Sequence, residues 1–295
     1  MKILVGVDQV STADRLSWQV ASLAFADARI ELAHAVEIIS AAEIGRAHAG
    51  YNVAISQFLK TQTELANSVL SQGEEAFRSK GFKVRSKILG GLTGNALIRH
   101  ATDTAADLLV IGSSGKNALE RTLVGSVSRK VVVSAPISVL IGKQKESVVK
   151  PQTVVLATDH SDYANRCMEK LLSWKPQALA RVVVVTVYSE QQLKAMGAAM
   201  EHFKSDISSW IKDGLVKSND ALVAKVQGAL PNLIVSSRVE SGEISEVLES
   251  VMKMERADLL VLGAQGKGFL DRLTLGSVSL DQALRCNYSV LVMRV

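Results

Sequence analysis

The chain has 295 residues, of which 47% are hydrophobic and 21% charged, and a chain of this length and balance is expected to fold into about two globular domains. Its formal net charge of +5 comes from 34 basic and 29 acidic side chains, with no run of lysines and arginines among aromatic residues, so the composition argues against nucleic-acid binding. The sequence shows no signal peptide and no apolar run near the ~18 residues of a membrane span, so we expect a cytoplasmic protein without a membrane partner.

Apolar runs and amphipathic stretches alternate along the first half of the chain. The run Lys2–Val7 is typical of a parallel strand buried on both faces, and Ser11–Asp14 offers an N-cap for the helix that follows. The remaining predicted elements are, in order, a strand over Ile30–Val36, a long helix with apolar residues from Ile55 to Phe77, a strand over Lys83–Leu89, a helix over Gly94–Ala105, a strand over Leu108–Ile111, a helix over Ser126–Ser134 and a strand over Ile137–Ile141. This alternation predicts a parallel sheet with right-handed crossovers and helices on both faces.

The same pattern returns 151 residues further along the chain. The strand ending at Asp8 recurs as the strand ending at Asp159, and Gly125–Ser128 recurs as Gly276–Ser279. A period this long indicates a duplicated domain rather than a solenoid repeat. We therefore predict an α/β fold with two tandem, doubly wound Rossmann-like domains, each a five-stranded parallel sheet. Domain 1 is predicted to span residues 1–145 and domain 2 residues 151–295.

A spaced glycine pattern follows the fourth strand of each copy. It reads Gly-x2-Gly-x9-Gly-Ser, with Gly112, Gly115, Gly125 and Ser126 in the first copy and Gly263, Gly266, Gly276 and Ser277 in the second. Glycines let a backbone approach a phosphate closely, and a helix N-terminus presents free N–H groups to an anion. Lys116 and Lys267 could add positive charge. The alternative is that tight turns alone require these glycines, and duplication would copy such a loop as well.

An aspartate ends the first strand of each copy, at Asp8 and Asp159. Ligands of doubly wound sheets bind beyond the carboxyl ends of the strands, where the strand order reverses. A carboxylate there can accept hydrogen bonds from ribose hydroxyls or hold a phosphate-bound Mg²⁺ through water. The alternative is that each aspartate caps the helix that follows it.

These motifs, over nearly the whole length, resemble the universal stress proteins of the ATP-binding type, with two domains in one chain. The resemblance implies an adenine nucleotide alpha hydrolase-like fold that binds ATP, or AMP or ADP, with Mg²⁺ carried on the phosphates. The residues implied at the nucleotide are Val7, Asp8, Val36, Ile111, Gly112, Gly115, Lys116, Gly125, Ser126 and Val127 in domain 1. In domain 2 they are Thr158, Asp159, Val187, Leu262, Gly263, Gly266, Lys267, Gly276, Ser277 and Val278.

The resemblance also implies how the domains associate. Single domains of the family pair through their last strands, so Ile137–Ile141 and Ser289–Met293 are expected to pair within this chain as an intramolecular pseudo-dimer. Burial of two apolar edge strands would remove an aggregation hazard. Further homodimerisation of the whole chain is compatible with this arrangement.

The two sites differ in their loops. The residues after the aspartate are Gln9 and Val10 in the first copy and His160 and Ser161 in the second, and we expect His160 to be a turn or surface histidine rather than a catalyst. The position between the glycines that often holds histidine in the family is Ser114 in one copy and Gln265 in the other. These differences allow one site to bind nucleotide more weakly than the other.

Motifs for catalysis are missing from the sequence. There is no Gly-x4-Gly-Lys-(Ser/Thr) loop and no Gly-x-Ser-x-Gly elbow. Arg121 and Arg272 are the nearest candidates for a phosphate contact, and no general base stands beside the glycines. We expect a nucleotide-binding stress-response sensor or regulator that is not an enzyme, with at most slow ATP hydrolysis. The alternative is a nucleotide-independent scaffold or protein-interaction module of the same fold.

Overall fold

The computed structural model describes residues 1–36, 49–113, 125–143, 149–189, 206–266 and 275–295, without the side chains of 49–55 and 206–208. The chain divides into two compact units. The first domain comprises Met1–Ala21 and Asp27–Val148, and the second comprises Val149–Val295 together with the short segment Ser22–Ala26.

The first domain alternates strands and helices in the predicted order. Its elements are β1 (Lys2–Gly6), α1 (Val10–Ala21), β2 (Arg29–Val36), α2 (Ala49–Arg78), β3 (Lys83–Gly90), α3 (Thr93–Asp103), β4 (Leu108–Gly112), α4 (Ser126–Ser134) and β5 (Ser138–Gly142). The strands lie in the order β3-β2-β1-β4-β5, and neighbouring strands are parallel. Helix α1 packs against α2, and α3 packs against α4. The strand order reverses between β1 and β4, which is where such sheets bind ligands.

The second domain repeats this architecture. Its elements are β6 (Gln152–Ala157), α5 (Asp162–Ser173), β7 (Leu179–Tyr188), α6 (Asp206–Ala229), β8 (Ile234–Ser241), α7 (Ile244–Met254), β9 (Leu259–Gly263), α8 (Ser277–Arg285) and β10 (Ser289–Met293). The strands lie in the order β10-β9-β6-β7-β8, again with parallel neighbours. The predicted doubly wound α/β fold is confirmed in both domains.

The central strands form the core of each domain. Ile3, Leu4 and Val5 of β1 have no exposed surface, and Val155 and Val183 of the second domain are equally buried. Each fully buried side chain of this kind contributes about 1.5–3 kcal/mol to folding through the hydrophobic effect. Both faces of these strands are covered, which explains why their sequences are continuous apolar runs. Among the helices in the described ranges, none has the length and hydrophobicity needed to cross a membrane.

The two domains correspond at an offset of 151 residues, except in the second strand of each. The N–H of Val7 donates to the carbonyl of Ala33 over 2.9 Å, and the N–H of Thr158 donates to that of Val185 over 3.0 Å. Because these two bonds are equivalent, Val185 of the second domain corresponds to Ala33 of the first. Their residue numbers differ by 152. The extra residue of β7 is accommodated by a shift of register between Gln152 and Thr153.

The end of the second strand shows the same displacement. The N–H of Gly91 donates to the carbonyl of Val36, and the N–H of Gly242 donates to that of Tyr188, both over 3.0 Å. Tyr188 is therefore the equivalent of Val36, and Val187 is the equivalent of Ala35. The expectation that the two sites match at a single offset is wrong in this strand, because one residue has been inserted.

Candidate functional site

A cavity of about 320 Å³ lies in the first domain, beyond the carboxyl ends of its central strands. It is lined by Gly6, Val7, Asp8, Thr12, Ala33, Ala35, Thr93, Leu97, Ile111, Gly112, Gly125, Ser126, Val127 and Ser128. Seven residues predicted at the nucleotide are among them, namely Val7, Asp8, Ile111, Gly112, Gly125, Ser126 and Val127. The fold thus brings the end of the first strand, the fourth strand and the start of α4 to one cavity.

Some residues predicted for this site are not among the described residues that line the cavity. Gly115 and Lys116 lie outside the described residues, as does Arg121. Val36 is buried, and its neighbours Ala33 and Ala35 line the cavity instead. Alternate residues of a strand face the same side, so Ala33 and Ala35 face the cavity together whereas Val36 faces the other side of the sheet.

Sequence reasoning missed Thr12, Thr93 and Ser128 among the polar residues that line the cavity. Thr12 lies in the first turn of α1, Thr93 begins α3, and Ser128 lies in the first turn of α4. The signal that could have found them is position, because helices of this fold begin at the ligand-binding edge of the sheet.

Gly112 has a packing role as well as a place in the cavity. A β-carbon at this position would lie 3.1 Å from Cγ2 of Thr12, so glycine allows α1 to approach the end of β4 closely. Gly6 has a similar role, since a β-carbon there would lie 2.9 Å from Cδ1 of Leu97. Packing alone thus accounts for part of the glycine pattern.

The N-terminus of α4 opens into the cavity. Its N-cap residue is Gly125, which as a glycine has no side chain with which to cap the first turn. The hydroxyl of Ser128 donates to the carbonyl of Gly112 over 2.7 Å, and the N–H of Gly125 donates to the carbonyl of Ser113 over 3.3 Å. These bonds hold the helix start beside β4. Free N–H groups and the positive end of the helix dipole make such a terminus attractive to phosphates.

Asp8 is exposed at the mouth of the cavity. Within the described ranges, no group donates a hydrogen bond to its carboxylate. Its charge interacts with the imidazole of His34, which is hydrogen bonded to the backbone of Val7. Burial lowers the pKa of His34, and the bond to Val7 and the charge of Asp8 offset only part of that shift. The imidazole is therefore neutral near pH 7, and the carboxylate of Asp8 is available to a ligand.

The corresponding aspartate of the second domain is engaged within the protein. Oδ1 of Asp159 accepts hydrogen bonds from the N–H of Ser161 over 3.0 Å and from its hydroxyl over 2.7 Å. The Ser161 hydroxyl oxygen in turn accepts from the N–H of Ala164 and caps α5. Oδ2 of Asp159 lies 3.2 Å from where a β-carbon on Gly266 would be. Asp159 thus braces the cap of α5, which is close to the alternative considered from the sequence.

The second domain has the same two hydrogen bonds between the end of its fourth strand and the start of its last helix. The hydroxyl of Ser279 donates to the carbonyl of Gly263 over 2.7 Å, and the N–H of Gly276 donates to that of Ala264 over 2.7 Å. Of the other residues predicted here, Thr158 and Leu262 are buried, Val187 and Val278 are half-buried, and Ser277 is exposed. Lys267 and Arg272 lie outside the described residues.

Tyr163 lies over the first glycine of the second pattern. Its ring carbon Cε1 lies 3.3 Å from where a β-carbon on Gly263 would be. Burial raises the pKa of Tyr163 to about 12, so the phenol stays protonated. Its hydroxyl donates to the carbonyl of Met293 over 3.4 Å. Tyr163 is the equivalent of Thr12, which lies over Gly112 in the first domain.

His160 occupies a left-handed turn, with φ of 57°, and is half-buried. Its Nε2 lies 2.9 Å from Oδ1 of Asn219 and 3.0 Å from Oγ1 of Thr186. The Thr186 hydroxyl donates to Asn219 Oδ1 over 2.8 Å, and Nδ2 of Asn219 donates to the carbonyl of Arg238. This network ties the loop after β6 to β7, α6 and β8. His160 thus lies in a turn, as one of the two expected positions has it.

Each domain therefore has a doubly wound α/β fold of the Rossmann-like class, and the chain contains two such domains in tandem. The model of the universal stress protein family matches residues 1–143 and 151–294, so the chain belongs to this family and contains two copies of its domain.

Known proteins resemble the chain over one domain or over both. A universal stress protein of Methanocaldococcus jannaschii is 31% identical over 131 residues, which cover 40% of this chain and 76% of that protein. A universal stress protein of Mycolicibacterium smegmatis is 24% identical over 301 residues, covering 99% and 96% of the two chains. The crystal structure of a universal stress protein from Archaeoglobus fulgidus matches with a TM-score of 0.67 at 17% identity, covering 99% and 98% of the chains. That last likeness shows a shared fold.

Proposed function

We propose that the first domain binds an adenine nucleotide and that the protein acts as a nucleotide-dependent sensor or regulator in the stress response. The observation that carries this proposal is the cavity that joins Asp8 to the N-terminus of α4. Its volume of about 320 Å³ falls at the lower end of the range for small-molecule sites. A member of the family has been solved in complex with cAMP, which is itself an adenine nucleotide.

Different residues of the cavity lining match the base, the ribose and the phosphates of a nucleotide. Val7, Leu97 and Ile111 give it an apolar wall against which a base can pack. Asp8 lies where a carboxylate can accept hydrogen bonds from ribose hydroxyls, which are neutral donors. The start of α4, where glycine is the N-cap residue, lines the same space and suits the phosphates.

The proposed ligand is ATP, or AMP or ADP, with Mg²⁺ entering on the phosphates. The chain itself supplies few metal ligands: in the described ranges, no three His, Cys, Asp or Glu side chains form a metal-binding group. A single carboxylate fits a phosphate-bound Mg²⁺ held through water, which is the alternative role of Asp8 to accepting hydrogen bonds from the ribose. The ion would neutralise charge on the phosphates.

We propose that the protein is not an enzyme beyond slow hydrolysis. Among the described residues that line the cavity, Asp8 is the one titratable side chain. Efficient phosphoryl transfer also needs cations that stabilise the transferred group and a residue that positions the nucleophile. Steady turnover of Mg-ATP above roughly 1 per second, the low end for ordinary enzymes, would contradict this part of the proposal.

Equilibrium dialysis with ATP, ADP and AMP tests the proposal. The wild-type chain is expected to bind one of them, and Asp8→Asn to bind it about tenfold more weakly. Hydrogen bonds to charged groups contribute roughly 1.5–3 kcal/mol, and about 1.4 kcal/mol corresponds to a tenfold change. Asp103→Asn, at the exposed end of α3, is the matched control and should bind like the wild type.

A wild-type chain that binds none of the three nucleotides would overturn the proposal and favour the scaffold alternative. The packing role of Gly112 is the observation that keeps this alternative open. The pairing of the last strands, further homodimerisation and a cytoplasmic location stay predictions.

A further inference from the structure

We propose that the chain holds a single nucleotide, in the first domain, because the second domain fills the equivalent space with its own side chains. This inference rests on the proposed function and assigns it to one of the two sites that the sequence makes equivalent. The second domain then acts as a ligand-independent copy of the fold. Three differences between equivalent residues carry the inference.

The first difference lies on the strand that forms one wall of the cavity. Ala33 and Ala35 of β2 line the cavity in the first domain. The hydrogen bonds that set the register of the two domains make Val185 and Val187 their equivalents. Each valine adds two carbon atoms on the face that corresponds to the cavity, and Val185 is 1% exposed. A planar base that fits beside two alanines meets four additional carbon atoms in the second domain.

The second difference lies at the first glycine of the phosphate pattern. In the first domain the short side chain of Thr12 lies beside Gly112, and both line the cavity. In the second domain the aromatic ring of Tyr163 takes this position against Gly263. The ring is held in place at its far end by the hydrogen bond to the Met293 carbonyl. A ligand that approaches Gly263 therefore meets a fixed ring.

The third difference concerns the aspartate that would receive the ribose. Among the described residues nothing donates to the carboxylate of Asp8, which is exposed. Asp159 accepts two hydrogen bonds from Ser161, and its other oxygen lies against the backbone of Gly266. A ribose would have to replace bonds that already cap α5. All three differences act in the same direction, towards an open first site and a closed second site.

The number of nucleotides bound per chain tests this inference. Equilibrium dialysis of the wild-type chain with the tightest-binding of ATP, ADP and AMP should give one equivalent at saturation. Two equivalents would overturn the single-site inference and leave the proposed function standing. No bound nucleotide would overturn the proposed function itself, so the two failures are distinguishable.

Exchanging the differing residues between the domains sharpens the test. Ala35→Val adds carbon to a cavity wall, so it should be compatible with folding, and we expect it to weaken binding at least tenfold. The double variant Tyr163→Thr/Val187→Ala should give the second domain a measurable additional equivalent. An unchanged affinity in Ala35→Val would count against the inference.

Photolabelling gives a readout that needs no substitution. The full-length chain is irradiated with 8-azido-ATP, digested and analysed by mass spectrometry, with excess ATP as competitor. Competable label is expected in peptides of residues 1–143. Competable label in peptides of residues 151–294 at a comparable yield would overturn the inference even if the variants failed to fold.

Discussion

The hydroxyl of Ser128 donates to the carbonyl of Gly112 over 2.7 Å and thereby fixes the first turn of α4 to the end of β4. Ser279 makes the equivalent bond to Gly263 in the second domain, also over 2.7 Å. The two bonds are structurally the same, but the first lies at a cavity and the second lies beside Tyr163. Comparing the two bonds therefore separates the contribution of this bond to folding stability from its contribution to ligand binding.

Ser128→Ala and Ser279→Ala should destabilise the chain to a similar degree. Each removes one hydrogen bond from a buried side chain, and such a bond contributes about 1 kcal/mol. We expect only Ser128→Ala to weaken nucleotide binding as well, because it loosens the helix start that would face the phosphates. Urea unfolding and equilibrium dialysis measure the two effects. Equal losses of binding in both variants would indicate that both domains hold nucleotide.

Ser126→Asp should separate phosphate recognition from recognition of the nucleoside. Ser126 is the exposed first residue of α4, where a negative charge stabilises the helix by about 0.3–1 kcal/mol. The same charge would repel phosphates, so binding of ATP should fall while binding of adenosine is kept. Ser126→Asn, which is neutral and of similar size, is the control and should retain ATP. Calorimetric titration with both ligands makes the comparison, and a parallel loss of adenosine would argue against phosphates at α4.

Acid should destabilise the first domain through Glu31. This carboxylate is 4% exposed and accepts hydrogen bonds from His100 over 2.9 Å and from Arg85 over 3.0 Å. Burial raises the pKa of Glu31, but the bonds from His100 and Arg85 lower it by more, so its pKa lies below the ordinary value. A lowered folded-state pKa means that the stabilisation is present above the unfolded pKa of about 4.3 and is lost as the pH falls through the folded pKa.

Urea unfolding between pH 3 and pH 7 checks this prediction. The free energy of unfolding should fall below about pH 4.3, and Glu31→Gln should show a smaller fall because it has no proton to take up. Glu64→Gln is the control, since Glu64 is exposed on α2. If the Glu31→Gln variant kept the full pH dependence, the loss of stability would have to come from other carboxylates.

Asn219→Ala should lower the stability of the second domain without changing nucleotide binding. Asn219 is fully buried, accepts from Thr186 and donates to the carbonyl of Arg238. Its loss leaves buried polar partners unsatisfied, which costs roughly 1–3 kcal/mol for each group. Thermal unfolding with and without nucleotide is the measurement. A change in nucleotide affinity would show that the network of His160 reaches a ligand.

Much of the fold could be predicted from the sequence, because buried parallel strands leave continuous apolar runs. The strand Ser289–Met293 was predicted with the bounds that the structure has. The inserted residue of β7 could not be seen, because a run of valines looks the same when it is shifted by one position. The register became visible only through backbone hydrogen bonds such as that from Thr158 to Val185.

The sequence predicted those site residues that belong to a recognisable motif. It missed those that contribute only through the size of their side chains. Gly112 and Gly125 belong to the spaced glycine pattern, Asp8 ends the first apolar run, and all three line the cavity. Ala33 and Ala35 have no chemical signature, since an alanine matters there only by being small. The sequence left a ligand contact and a helix cap open as roles of Asp159, because a serine two residues after an aspartate is common in turns.

The cavity of the first domain has a thermodynamic consequence for the chain. A ligand that binds only the folded state adds RT ln(1 + [L]/Kd) to stability, which is about 2.7 kcal/mol at a concentration of 100 Kd. If one domain holds the nucleotide, falling nucleotide levels remove this stabilisation from that half of the chain alone. The first domain would then become more sensitive to proteolysis than the second. The ratio of their lifetimes would follow the nucleotide level of the cell.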